Sequence, residues 1–112
     1  MNEEISLLLN KFPQETVDIF IELRQQIFSD VSEPIEEIMW AKLPTYCVGK
    51  SFVRLIPFKD HINIEAKAII KYKDFFSDYK ITPKGMLQIF SNQKIPTQIL
   101  KDVFIETLSK KK

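Results

Sequence analysis

The spacing of apolar residues changes along the chain and separates helical from strand-like parts. Between residues 14 and 28 apolar side chains recur every three or four positions, while Glu15, Asp18 and Glu22 fall on the other side. This spacing predicts an amphipathic helix that packs by one face. Pro13 favours the first turn of such a helix, because its fixed φ suits that position and it lacks the N–H that the first turn leaves unpaired.

A shorter apolar cluster predicts a first helix over residues 3–10. After residue 35 the pattern changes to short runs of β-branched and aromatic residues separated by turn formers, which predicts three or four antiparallel strands between residues 38 and 64. Two pairs of residues, Gly49-Lys50 and Lys59-Asp60, are suited to tight hairpin turns.

Helical spacing returns in the last third of the chain. Residues 66–76 carry a helical pattern, residues 78–85 are typical of a loop, and residues 86–90 predict a final strand. Pro96 opens a last helix whose apolar stripe ends at Leu108, and the lysines at 110–112 suit a solvated helix end. The order of elements predicts an α+β fold in which helices cover one face of an antiparallel sheet. The predicted core is Phe20, Ile27, Phe52, Leu55 or Ile56, Ile64, Phe104 and Leu108.

Composition limits the class of protein. The chain has 112 residues with 45% hydrophobic residues, which is enough for one domain and too little for two, so we expect a single domain over 1–112 with its core between about 13 and 108. A net charge of +1 gives no global attraction to nucleic acid or to a membrane, and neither is an expected partner. One cysteine and no hydrophobic leader indicate a cytoplasmic protein.

Few residues carry an obvious chemistry. Cys47 and His61 could form a nucleophile and base on adjacent strands, but no local signature supports that pair. His61 with Asp60 and Glu65 could bind a divalent metal weakly, although a turn and a solvated strand end explain the same residues. Lysines and arginines alternate with aromatics in the strand region, which we interpret as aromatics facing inward and basic side chains facing outward. The chain is therefore expected not to be an enzyme.

One segment predicts a small concave site. The stiff stretch around Pro44 and the turn around Lys59 place aromatic and polar residues near each other in a compact sheet. We expect a ligand or protein site at this corner, formed by Trp40, Pro44, Tyr46, Phe58, Lys59 and His61.

An ordered set of landmarks resembles a known family. These landmarks are the segments at residues 37–46, 56–62 and 84–88 and the pair Ile95-Pro96. Together they are similar to the YdhG-like family of small bacterial domains, a family described as a domain of unknown function, and the resemblance covers residues 13–108. One departure is the stretch Ala41-Lys42-Leu43 before Pro44, which is longer than the family's usual Gly-x-Pro and lacks its glycine.

The resemblance implies a frataxin-like fold and a link to intracellular iron delivery. It implies metal binding by exposed carboxylates, for which the candidates are Glu15, Asp18, Glu22, Glu36 and Glu37, with iron as the cargo and an iron-accepting protein as partner. Two hypotheses therefore stand after the sequence: a frataxin-like iron chaperone, and a module that binds a ligand or protein at the corner of Trp40 and His61.

Overall fold

The computed structural model describes residues 1–109, so the predicted helix end at 110–112 lies outside the described residues. Within these residues, three α-helices, one 3₁₀ helix and six strands follow one another. In chain order they are α1 (Glu3–Leu9), α2 (Gln14–Asp30), β1 (Glu36–Trp40), β2 (Leu43–Val48), β3 (Ser51–Pro57), β4 (His61–Ala66), the 3₁₀ helix (Lys67–Phe76), β5 (Lys80–Ile81), β6 (Leu87–Phe90) and α3 (Thr97–Thr107).

The six strands form one antiparallel sheet in the order β1-β2-β3-β4-β6-β5. Side chains alternate between its two faces, so the register fixes which residues lie together. Tyr46 pairs with Val53, and Leu55 pairs with Ile64, which places all four on one face. These side chains are buried, and this face is the one that the helices cover.

The core fills the space between that face and the helices. Phe20 and Ile27 of α2 and Phe104 of α3 are fully buried against it, and Leu108 closes its end. The predicted α+β architecture is confirmed at this level. Phe52 was predicted in the core but is only half-buried. It precedes the buried Val53 in β3, and neighbouring residues of a strand point to opposite faces, so Phe52 faces away from the helices.

Two hairpin turns use backbone with positive φ. Gly49 links β2 to β3 with φ +59°, as expected from a glycine at the first central position of a two-residue turn. The turn between β1 and β2 is made by Ala41 and Lys42, with φ of 51° and 65°, although neither residue favours that region. The stretch that departs from the family pattern is therefore a two-residue hairpin turn without glycine.

The segment after β4 differs from the predicted α-helix. Residues Lys67–Phe76 form a ten-residue 3₁₀ helix that buries Ala68, Ile69 and Phe76. The following segment, predicted as a loop, contains the two-residue strand β5, which pairs with β6 at the sheet edge. Within residues 1–109, no helix is both long and apolar enough to cross a membrane.

Candidate functional site

The second face of the sheet, here called the open face, is not covered by any helix of the described chain. Its side chains are those that alternate with the buried core positions. They combine apolar or aromatic residues with polar ones and include Ile38, Trp40, Cys47, Phe52, Arg54, Ile56, His61, Glu65, Gln88 and Phe90. The open face therefore presents apolar and aromatic side chains among polar ones, opposite the face that carries the core.

Trp40 is the most exposed aromatic of this face. It ends β1, its side chain is 58% exposed, and it borders a cavity of about 320 Å³. The other walls are Thr45, Cys47, Gly49, Lys50, Phe52 and Arg54. The guanidinium of Arg54 lies over the Phe52 ring, 4.4 Å from its centroid, and bonds Glu65 at 2.9 Å. Arg54 is thus held by both neighbours and forms a fixed, neutralised wall of the cavity.

His61 forms the centre of an aromatic stack at the other end of the open face. Its ring lies between Phe58 and Phe90, with centroid distances of 4.6 Å to each. Nδ1 of the imidazole lies 2.8 Å from a carboxylate oxygen of Asp60, and the side chain is only 15% exposed. Phe58 is 40% exposed and extends the apolar surface beyond the strand end.

The predicted corner is divided between the two faces. Trp40 and His61 share the open face, but Pro44 and Tyr46 pair with Met39 and Glu37 on the helix-covered face. Pro44 and Tyr46 are buried there and contribute nothing to a surface site, which corrects the grouping expected from the sequence. The reason is parity, because neighbouring residues of one strand point to opposite faces.

Lys59 lies in the exposed turn between β3 and β4, beside Phe58 and His61. Its backbone carbonyl accepts a hydrogen bond of 3.0 Å from the hydroxyl of Thr16 on α2. This bond fixes the turn to the helix layer, and the Lys59 side chain is exposed.

Tyr46 instead belongs to a buried polar cluster with Arg24 and Glu37. Arg24 Nη2 donates to Glu37 at 3.2 Å, and the backbone N–H of Asn2 donates to the same carboxylate at 2.8 Å. Burial alone would raise the pKa of the Glu37 carboxyl, but the hydrogen bonds from Arg24 and Asn2 outweigh it and lower the pKa. The Tyr46 hydroxyl makes no hydrogen bond of normal geometry; burial, followed by the nearby Glu37, raises its pKa.

The five carboxylates proposed for iron do not converge. Glu15, Asp18 and Glu22 are exposed along α2, Glu36 lies on the open face, and Glu37 is held by Arg24 on the opposite face. In the described part of the chain, no group of three or more His, Cys, Asp or Glu residues is placed to hold a metal ion. Glu65, considered with His61 as a ligand, bonds Arg54 instead.

Cys47 and His61 are also kept apart, because Cys47 pairs with Phe52 near one end of the sheet and His61 pairs with Phe90 near the other. Burial, with a smaller contribution from Glu36, raises the pKa of the Cys47 thiol, so the reactive thiolate is disfavoured. This geometry does not assemble the nucleophile and base that the sequence left open.

Sequence reasoning missed Phe52, Arg54 and Phe90 as members of the site. Aromatic and basic residues were expected on opposite sides, yet Phe52 and Arg54 are two positions apart in one strand and so share a face. The spacing of Phe52 and Arg54 already indicated that they share a face. That Trp40 and His61 lie on the same face follows only from the register of β1 to β4.

Comparison with known proteins found no match: no family model, no curated protein and no solved structure is significantly similar to this chain. The resemblance to the YdhG-like family therefore depends on the sequence landmarks alone. Iron delivery, which only that resemblance implies, stays a prediction.

Proposed function

We propose that this chain is a non-enzymatic binding module whose open face binds a partner protein. The observation that carries the proposal is the exposure of Trp40 beside an apolar cavity, on a sheet face that the described helices leave uncovered. Large aromatic side chains exposed in contiguous patches are typical of interaction sites, whereas single exposed apolar residues are ordinary.

The breadth of the surface favours a protein over a small molecule. Trp40 on β1 and Phe58 after β3 lie at separate places on the open face, with the half-buried Phe52, Ile56 and Phe90 between and beside them. The charge of Arg54 is neutralised by Glu65. Interface centres are enriched in tryptophan, phenylalanine and arginine and depleted in unpaired charge, which is the composition found here.

The rim of the surface indicates the chemistry of the partner. Lys50 borders the Trp40 cavity and Lys59 lies beside Phe58, and both are exposed. A complementary partner would insert an apolar side chain beside Trp40 and present acidic residues to the two lysines. Such charges would mainly speed association, while the buried aromatic contacts would hold the complex.

The test compares two changes on the open face with one elsewhere. Proteins retained from an extract of the source cells by wild type are expected to be lost with Trp40→Ser and Phe58→Ser. Phe75→Ser is the matched control, since Phe75 is a 66% exposed aromatic of the 3₁₀ helix, away from the open face. The retained protein is then purified and titrated against wild type. Because Trp40 is the only tryptophan, its emission should shift to shorter wavelength as the partner covers it.

Three results would contradict the proposal. One is a partner whose binding is equally weakened by Phe75→Ser, since binding would then not depend on the open face. Another is a purified partner that binds without changing Trp40 emission. The third is saturable binding of a single-stranded oligonucleotide that depends on Trp40 and Phe52, because aromatic sheet faces also stack nucleic-acid bases.

A further inference from the structure

A larger cavity lies at one end of the sheet, next to the open face. It has a volume of about 540 Å³, within the usual range for small-ligand pockets. The β2–β3 turn, the end of β4, the 3₁₀ helix, the loop before β6 and the end of α3 all contribute to its walls. The lining residues are Lys50, Ser51, Phe52, Glu65, Ala66, Lys67, Ile70, Lys84, Gly85 and Thr107.

The charge of this cavity is strongly unbalanced. Lys50, Lys67 and Lys84 contribute three ammonium groups from three separate segments, and none forms an ion pair with another residue in the range 1–109. The single lining carboxylate, Glu65, is bound by Arg54 at 2.9 Å. A concave surface lined by charges of one sign concentrates the opposite charge, so the cavity attracts anions although the whole chain carries only +1.

The remaining walls suit a ligand that is partly apolar. Phe52 and the exposed side chain of Ile70 offer apolar contact. The hydroxyl of Thr107 accepts a hydrogen bond of 3.1 Å from the N–H of Ala68, which leaves its own proton to donate. The Ser51 hydroxyl is a second lining donor.

The loop that carries Lys84 is held in place by its backbone. The N–H of Gly85 donates to the carbonyl of Thr82 at 2.8 Å, and the N–H of Met86 donates to the Thr82 hydroxyl at 3.1 Å. Gly85 has φ +89°, and a Cβ there would lie 3.5 Å from Ile70. Glycine at this position permits the positive φ of the turn, and Ile70 lies at ordinary van der Waals distance from it, so the lysine-bearing loop and the apolar wall are positioned before any ligand arrives.

We propose that this cavity binds a small organic anion, with a carboxylate, sulfonate or phosphate group held by the three lysines and an apolar ring or chain held against Phe52 and Ile70. The inference goes beyond the binding of a partner protein and does not depend on it, although Lys50 and Phe52 border both cavities. Small anion and protein partner would occupy adjacent surfaces of the same domain.

Two matched probes test this inference. The first is 8-anilinonaphthalene-1-sulfonate, which is apolar and anionic and fluoresces when it leaves water. The second is N-phenyl-1-naphthylamine, which has the same rings without the sulfonate. We expect saturable binding of the anionic probe with one site per chain, weakened by added salt, and at least about tenfold weaker binding of the neutral probe, which corresponds to about 1.4 kcal/mol.

Charge-removing variants locate the site. The double change Lys67→Gln with Lys84→Gln is expected to lower the affinity for the anionic probe by at least about tenfold, because it removes two of the three cations. The control, Lys11→Gln with Lys73→Gln, removes the same net charge from exposed positions outside the cavity. Trp40→Ser serves as a second control, because it alters the open face and leaves this cavity intact. Both controls are expected to bind the probe within about twofold of wild type.

Several results would overturn the inference. One is equal affinity of wild type for the two probes, and another is a loss of probe affinity in the Lys11 and Lys73 control equal to that in the Lys67 and Lys84 variant. A third is loss of probe binding in Trp40→Ser, which would assign the probe to the open face. Thermal unfolding of each variant distinguishes a lost site from a lost fold. Amide chemical-shift changes at Ser51, Lys67 and Gly85 upon probe addition provide the independent positive result.

Discussion

At the residue scale, the ion pair between Arg24 and Glu37 connects the edge strand to the helix layer. Glu37 lies on β1, Arg24 on α2, and the Glu37 side chain is only 11% exposed. The backbone N–H of Asn2 donates to the same carboxylate, so the start of α1 joins the arrangement. The Glu37 carboxylate thus connects β1, α2 and the start of α1, which no backbone pairing between strands joins.

Glu37 should make stability depend on acid pH. Its pKa is lowered in the folded chain from the ordinary value of 4.5, so the unfolded chain binds the proton more readily. The stabilisation is complete above the unfolded pKa and is lost as pH falls through the folded one. We expect Glu37→Gln to lose about 1–3 kcal/mol at pH 7 by leaving Arg24 without its charged partner. Chemical denaturation between pH 7 and pH 3 measures both effects, with the two proteins converging towards the acid end.

Glu22→Gln provides the control for that experiment, since Glu22 is exposed on the same helix and forms no salt bridge with the described residues. The free energy of unfolding of Glu22→Gln should change with pH as that of wild type does. If the unfolding free energy of Glu37→Gln equalled that of wild type at all pH values, the ion pair would have no role in stability.

At the element scale, the β1–β2 hairpin closes through two residues that its turn does not favour. Ala41 and Lys42 both have positive φ, which costs L-residues other than glycine, asparagine and aspartate about 1–2 kcal/mol each. Replacing them by Asn and Gly, the preferred pair for this turn, should stabilise the fold by about 1–2 kcal/mol. Urea denaturation with an unchanged slope would establish the gain.

In the next hairpin, Gly49→Ala does the reverse, since it removes a glycine from a position with positive φ. Nothing lies within 4 Å of the added Cβ, so only the strain of φ +59° opposes it, and we expect a loss of about 1 kcal/mol. Stabilisation by Gly49→Ala, or destabilisation by the Asn-Gly pair at 41 and 42, would show that backbone strain does not control these turns.

The same elements show which features the sequence predicted. Periodicity predicted α2, α3 and the antiparallel strands because burial of one face leaves a direct trace in spacing. The β1–β2 turn was not predicted, because Ala41 and Lys42 carry no turn signal. A second miss was the 3₁₀ geometry of Lys67–Phe76, whose apolar residues fit an α-helix equally well.

The candidate site was less predictable than the fold. Trp40 and His61 were expected together and share a face, but Pro44 and Tyr46 were assigned to the same corner without a register that would have placed them on the other face. The cavity lined by Lys50, Lys67 and Lys84 combines segments distant in the chain. No local spacing links those segments, so their meeting depends on tertiary structure alone.

At the scale of the whole molecule, the carboxylates implied by the resemblance are spread over both layers. We expect anaerobic Fe(II) titration at micromolar protein to show no stoichiometric binding, because Fe(II) needs several converging ligands and carboxylates alone hold it loosely. Wild type, His61→Ala and the pair Asp18→Asn with Glu22→Gln should be indistinguishable by calorimetry. Saturable binding that only the amide pair weakens would favour the iron chaperone instead.

The strand order has a consequence for how the chain folds. Strands β1 to β4 pair with their neighbours in sequence through short turns, so much of the sheet forms from contacts between residues close along the chain. Pairing of strands close in sequence lowers the entropic cost of closing the loops between them and favours rapid folding. We expect β6 to pair with β4 only after the 3₁₀ helix has returned the chain, and α3 to pack on β3 and β4 after that. The four-strand meander is thus the expected nucleus, and the wall that carries Lys84 is among the last parts of the molecule to assemble.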